Sequence, residues 1–144
     1  MIQFDFDYKA WEEAKKKIGL FGKELLRETS EAAVLSSRYY LASRQKSRVK
    51  RLANDIAITH VSDTCNVIHS NQYYEKWVHD GRGPVVAKKA KALHWVTDDG
   101  QHVFVPKPKK VAPFAGYHYY EKAEENSRRN MNKYASIAAK RVGL

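Results

Sequence analysis

Apolar residues recur at spacings of three and four near both ends of the chain and alternate with polar ones in between. Trp11, Ala14, Ile18, Phe21 and Leu25 form the first stripe and predict an amphipathic helix. Asp7 stands where an N-cap is needed, and Glu12 and Glu13 fall in the first turn, where the helix dipole favours acids. Gly19 and Gly22 weaken the middle of this segment. Thr29 or Ser30 can cap a second helix, whose stripe is Ala32, Leu35, Tyr39, Ala42, Val49 and Ala53, with Lys46 interrupting it. A long last helix is predicted from about Tyr117 to Arg141. Its stripe is Tyr120, Ala123, Ser127, Met131, Tyr134, Ile137 and Ala138, with Gly143 as the stop.

The middle of the chain reads as two hairpins. Asp55–Val61 and Cys65–His69 are rich in β-branched residues and are joined by Ser62-Asp63-Thr64. Ala92–Asp98 and Gln101–Val105 flank Asp99-Gly100, a strong signal for a two-residue turn. Counted outward from that turn, Asp98 faces Gln101, Val96 faces Val103 and Trp95 faces Phe104, an aromatic pair that would fix the register. A short helix over Gln72–Val78, ending at Gly81, separates the hairpins. The predicted fold class is α+β: a small antiparallel sheet of hairpins with N-terminal helices and a long C-terminal helix packed on it. The chain, 144 residues long, reads as a single domain, helical over 1–54, β-rich with interface loops over 55–116, and helical again over 117–142.

Charge changes this picture more than size does. Twenty-six Lys and Arg against sixteen Asp and Glu give a net charge of +10, which favours polyanions or acidic protein surfaces as partners. The excess is uneven. Residues 1–31 are near neutral, whereas 32–54 hold no acid but carry Arg38, Arg44, Lys46, Arg48, Lys50 and Arg51. A second basic stretch contains Lys88, Lys89 and Lys91 before one hairpin strand and Lys107, Lys109 and Lys110 after its partner. Strand pairing gathers these six at the hairpin end opposite the turn. They are candidates for contact with DNA or an acidic partner, and equally for a solvated edge that discourages sheet aggregation. No helix-turn-helix, RNP or KH signature accompanies them, so any nucleic-acid contact would be to backbone phosphates and blind to sequence.

Catalytic and metal chemistry find little support in the linear sequence. No apolar run is long enough to span a bilayer, and the acidic N-terminus is unlike a signal peptide. The lone Cys65 cannot form an intrachain disulfide or a Cys-rich zinc site, and fits a reducing compartment, as a small buried residue opposite Val61. On the same strand face His69 lies about 13 Å from it, too far for a nucleophile–base pair. Six histidines show no HExxH or HxH spacing, and the predicted register points His94 and His102 to opposite faces. The expectation is therefore no catalytic residues, no metal and no cofactor. His79-Asp80-Gly81-Arg82-Gly83-Pro84 lacks the lysine of a phosphate loop and reads as a tight connection.

The order of features from Ser70 to Ala123 resembles the small neck proteins of tailed bacteriophages, the head–tail joining, tail-completion or minor capsid components. The matching residues are Tyr73, Tyr74, Trp77 and Val78, then His79-Asp80-Gly81-Arg82-Gly83-Pro84, then the basic Lys88–Lys91. Ala92-Leu93-His94-Trp95, Val103-Phe104-Val105, Pro113-Phe114 and Tyr120-Glu121-Lys122-Ala123 complete the series. The Thr-Gly-x-Leu segment that the family often carries before its first hairpin is missing. The resemblance implies a non-enzymatic structural role: a homo-oligomeric ring in the neck of a virion, made in the host cytoplasm. Its partners would be other neck proteins, the tail tube or tail terminator, and packaged double-stranded DNA by backbone contact, with no membrane. Trp77, His79, Asp80, Arg82, Pro84, Pro113, Phe114 and Tyr117 are then expected at subunit interfaces. The alternative is a small basic nucleic-acid-binding module without sequence specificity. A metal-dependent nuclease would need clustered acids that the sequence does not show.

Overall fold

The structure, a computed structural model, describes residues 1–3, 5, 7–44 and 46–144, and of Ser47 the backbone only. It is α+β, as the pattern predicts. In chain order the elements are α1 (Tyr8–Ala42), α2 (Ser47–Asp55), β1 (Ala57–Ser62), β2 (Cys65–His69) and α3 (Glu75–Asp80). They are followed by β3 (Ala92–Val96), β4 (His102–Pro106), α4 (Tyr119–Arg129) and α5 (Met131–Val142). No helix among the described residues is long and apolar enough to cross a membrane.

Asp7 caps α1 as expected, its carboxylate accepting from Ala10 N at 3.0 Å. The helix then runs for 35 residues without the break expected at Thr29 or Ser30. Both side chains turn back into the helix instead. Thr29 Oγ1 donates to Leu25 O at 2.9 Å and Ser30 Oγ to Leu26 O at 2.7 Å, so neither caps a new start. The break comes later, at Ser43, whose hydroxyl donates to Tyr40 O at 2.7 Å. The inward face of α1 also differs from the predicted stripe. Ser30, Val34, Ser37 and Leu41 are buried, whereas Leu35 and Tyr39 are 64% and 81% exposed. Ser30 is turned inward toward β2, where its hydroxyl also accepts from Asn66 Nδ2.

The core consists of Val34, Leu41, Val49, Leu52, Ala53, Ile56 and Tyr119, with Tyr40, Ile68, Tyr74, Val78, Tyr117 and Tyr120 packed around it. Arg38 belongs to it in function: its guanidinium donates to Ile56 O at 2.6 and 3.2 Å, holding the turn from α2 into β1. Asp55, expected in a strand, ends α2 instead and accepts from Asn71 N at 2.7 Å and Ser70 Oγ at 3.0 Å. The long C-terminal helix is two helices. Asn130 (φ −103°, ψ 10°) leaves the helical region and donates through Nδ2 to Asn126 O at 2.8 Å, which closes α4 and starts α5. Gly143 stops α5 in the left-handed conformation, as expected. Arg141 ties α5 to Glu24 and Glu28 of α1.

The strands form two separate two-stranded sheets. β1–β2 lies against α1, with Asn66 Nδ2 donating to Ser30 Oγ at 3.0 Å. Its register pairs Ser62 with Cys65, so Cys65 is exposed and opposite a serine, not buried against Val61, which is displaced at a bulge.

Candidate functional site

The second hairpin stands at the end of a longer excursion, in which two legs run antiparallel from the helical body to the turn. At the root, Tyr117 N donates to Val78 O and His118 N to His79 O, each at 3.0 Å. Farther out, Arg82 exchanges backbone hydrogen bonds with Phe114 (2.7 and 2.9 Å), and Val85 does so with Val111 (3.1 and 2.7 Å). Lys107 N then donates to Lys91 O at 2.9 Å, and β3–β4 follows. The stretches expected as interface loops are thus the paired legs of one arm. Two glycines permit the crossing at its root. Gly81 and Gly116 have φ of +89° and +83°; a Cβ on Gly81 would stand 2.1 Å from Phe114 O, and one on Gly116 2.3 Å from His79 O.

The hairpin register is one residue away from the expected one. His94 pairs with Phe104, Trp95 with Val103 and Val96 with His102. The turn holds three residues, Asp98-Asp99-Gly100, because Thr97 N donates to Gln101 O (2.8 Å) and Gly100 N to Thr97 O (3.0 Å). The Thr97 hydroxyl also accepts from Gln101 N, and its bond to Asp99 Oδ1 favours the longer loop. The shift overturns the expectation that His94 and His102 face apart. Their rings stack, with Nε2 of His94 2.9 Å from Nδ1 of His102, and His94 stacks on Phe104 at 4.4 Å between centroids. One exposed face thus carries His94, Val96, His102 and Phe104.

The six candidate lysines are all exposed and lie together midway along the arm, as the pairing predicts. Lys107 Nζ donates to Lys88 O at 3.0 Å, and none of the six forms a salt bridge among the described residues. In the acid-free segment 32–54, Lys46, Arg48, Lys50 and Arg51 are exposed in the same way, whereas two arginines have partners within the chain. Arg38 is spent on Ile56, and Arg44 lies over the rings of Tyr40 and Tyr117 at 4.6 and 4.8 Å.

The eight residues expected at interfaces gather around the root and divide into two groups. Trp77, Asp80, Arg82, Pro84 and Pro113 face solvent. His79, Phe114 and Tyr117 are half-buried within the chain, Phe114 edge-on to Tyr117 at 5.0 Å. Arg82 Nη1 donates to Ala112 O at 3.1 Å, bracing one leg against the other.

Beneath the root, Glu75 links three segments that the sequence did not connect. It accepts from Ser70 N at 3.1 Å and from the Tyr120 hydroxyl. Burial, reinforced by that bond to Glu75, pushes the Tyr120 phenol far up; burial does the same to Tyr119. The hydrogen bond from His79 holds the Asp80 carboxyl below the usual carboxylate range. His79 packs edge-on to His118 and Tyr119, and His118 adopts a left-handed conformation (φ 49°) at the start of α4. His79 and His118 are far apart in sequence, so no spacing rule could pair them; their only signal was that both flank glycines of the arm. A cavity of about 470 Å³ between α1, β2 and α4 has Glu124 as the one carboxylate among its lining residues and no histidine.

The chain matches no protein-family model, no curated protein and no solved structure.

Proposed function

We propose that this chain is a structural component of a tailed-bacteriophage virion that forms a ring at the joint between head and tail, and that it is not an enzyme. The observation that carries the reading is the arm. A two-stranded hairpin buries too little to be stable alone in water. Here it extends from the body with Phe104 63% exposed and Val96 exposed beside it. Such a surface gains burial from a neighbouring chain. The body adds more of the same kind, since Ile18 and Leu20 of α1 are exposed together with Leu35 and Tyr39. The order of residues from Ser70 to Ala123, which resembles the phage neck proteins, supports the same role. Packing of arms around a ring would bring many copies of the lysine cluster to one central surface. Multiplicity of that kind turns weak phosphate contacts into a firm hold on DNA.

The test is to purify particles of the phage that encodes the chain. The expected result is the chain in stoichiometric amount, with labelled density between head and tail, and unjoined heads and tails when its gene is deleted. Intact particles without the chain would overturn the reading. A second reading, a small basic nucleic-acid-binding module without sequence specificity, is favoured by the six lysines, which have no carboxylate partner among the described residues. It predicts tight DNA binding by the isolated monomer and no place in the particle.

A further inference from the structure

We propose that His79, His118 and Glu121 bind a divalent transition-metal ion, best suited to zinc, at the root of the arm. One ligand atom from each lies within 4.8 Å of the others, and His118 Nδ1 is already 3.5 Å from Glu121 Oε1. The hydrogen bonds fix which imidazole nitrogens are available. His79 Nδ1 is 2.6 Å from Asp80 Oδ1, a carboxylate oxygen that accepts, so this nitrogen carries the proton and donates. His118 Nε2 is 2.9 Å from Ala115 O, which also only accepts. In the neutral rings the lone pairs therefore sit on His79 Nε2 and His118 Nδ1. Those two atoms are both buried, and neither has a hydrogen-bond partner among the described residues.

A buried acceptor without a donor is unfavourable. Two of them beside a carboxylate define a place for a cation. Metal-ligating histidines characteristically donate their other N–H to a carboxylate or a backbone carbonyl, and here one does each. Two imidazoles and a carboxylate suit zinc, whereas calcium and magnesium prefer oxygen alone. Tetrahedral zinc holds such ligands about 3.3 Å apart, so the site closes by roughly 1.5 Å at most. Glu121 lies on the exposed first turn of α4 and can supply much of that movement. Three protein ligands leave the fourth position to water. A bound ion would clip the end of α3 to the start of α4, between which both legs of the arm leave the body. This inference is independent of the virion reading.

The test uses the full chain, stripped with chelator and titrated with Zn²⁺ by calorimetry and with Co²⁺ by absorption. The expected result is one ion per chain, tetrahedral Co²⁺ bands, and nitrogen and oxygen ligands without sulfur by X-ray absorption. His79→Gln and His118→Gln should each weaken binding by at least about 100-fold, and Asp80→Asn by about 10–100-fold. Cys65→Ser and the double variant His94→Gln/His102→Gln should leave it unchanged. Absence of stoichiometric zinc in the unmutated chain, sulfur among the ligands, or binding that survives loss of both His79 and His118 would overturn the proposal. Stoichiometry and ligand type are read on the unmutated chain, so a variant that fails to fold does not shield the proposal.

Discussion

In the helical body, Leu41, Leu52 and Ile56 are fully enclosed, and Tyr119 reaches them from α4. In the arm, described in full from Arg82 to Phe114, Ala87 is the one buried residue. The body is held by removal of apolar surface from water, which depends on volume and shape. The arm is held by backbone hydrogen bonds between its legs and by two glycines that let them cross. The first kind of structure is sensitive to lost side-chain volume. The second is sensitive to backbone freedom and hardly at all to the side chains along its outer faces.

The largest expected effect is therefore in the body. Leu52→Ala should cost about 2–5 kcal/mol, read as a lower urea midpoint with an unchanged slope. Next comes the root of the arm. Gly116→Ala forces a Cβ into backbone at positive φ and should cost about 1–3 kcal/mol in strain, with loss of protection at the amides of Arg82 and Phe114 in hydrogen exchange. If it costs nothing, the arm is not fixed where we place it.

A smaller effect separates the two regions by pH. Asp55 accepts from Asn71 N and Ser70 Oγ, and the Asn71 bond first and then the Ser70 bond hold its carboxyl below the ordinary carboxylate range. A depressed carboxyl contributes stability that is full above its unfolded pKa and lost as pH falls through the folded value. Asp55→Asn should flatten the acid limb of the stability curve below about pH 4, whereas lysine variants on the arm should leave that limb as it is. Smallest on folding are the arm's outer faces. Lys89→Glu with Lys109→Glu should change stability by less than about 0.5 kcal/mol. If the chain forms the proposed ring on DNA, the same pair should lower the salt slope of binding by about 0.9 for each phosphate that is no longer neutralised. An unchanged slope would leave these lysines as a solvated edge.

Much of the fold was legible in the sequence because its signals are local. The Asp7 cap, the Gly143 stop and both hairpins were read from a few neighbouring residues each. The errors have two causes, tertiary packing and local side-chain hydrogen bonds. Leu35 and Tyr39 are more apolar than Ser30 and Ser37, yet the serines face inward, Ser30 bonded to Leu26 O of its own helix and to Asn66 of β2. Thr29 and Ser30 have the right chemistry for a cap and spend it inside the helix. Asp99-Gly100 announced a turn but not its length, and one extra residue moved His102 to the face of His94. The lysine cluster followed from strand pairing alone. The His79, His118 and Glu121 group did not, because it forms only when the two legs return to the same point.

The chain leaves the body at Val78 and re-enters it at Tyr117, and these two residues are joined by a backbone hydrogen bond of 3.0 Å. Everything between them is a detour whose ends already touch. A short turn spliced between these ends would remove the last two residues of α3, His79 among them, but leave the path of α1, α2, α4 and α5 unaltered, and an arm of another length or sequence could be grafted there without redesigning the core. The outward-facing part of the molecule is in this sense exchangeable at two neighbouring points of the chain. Variation among chains of this architecture should concentrate there, while the helices that carry the arm stay fixed.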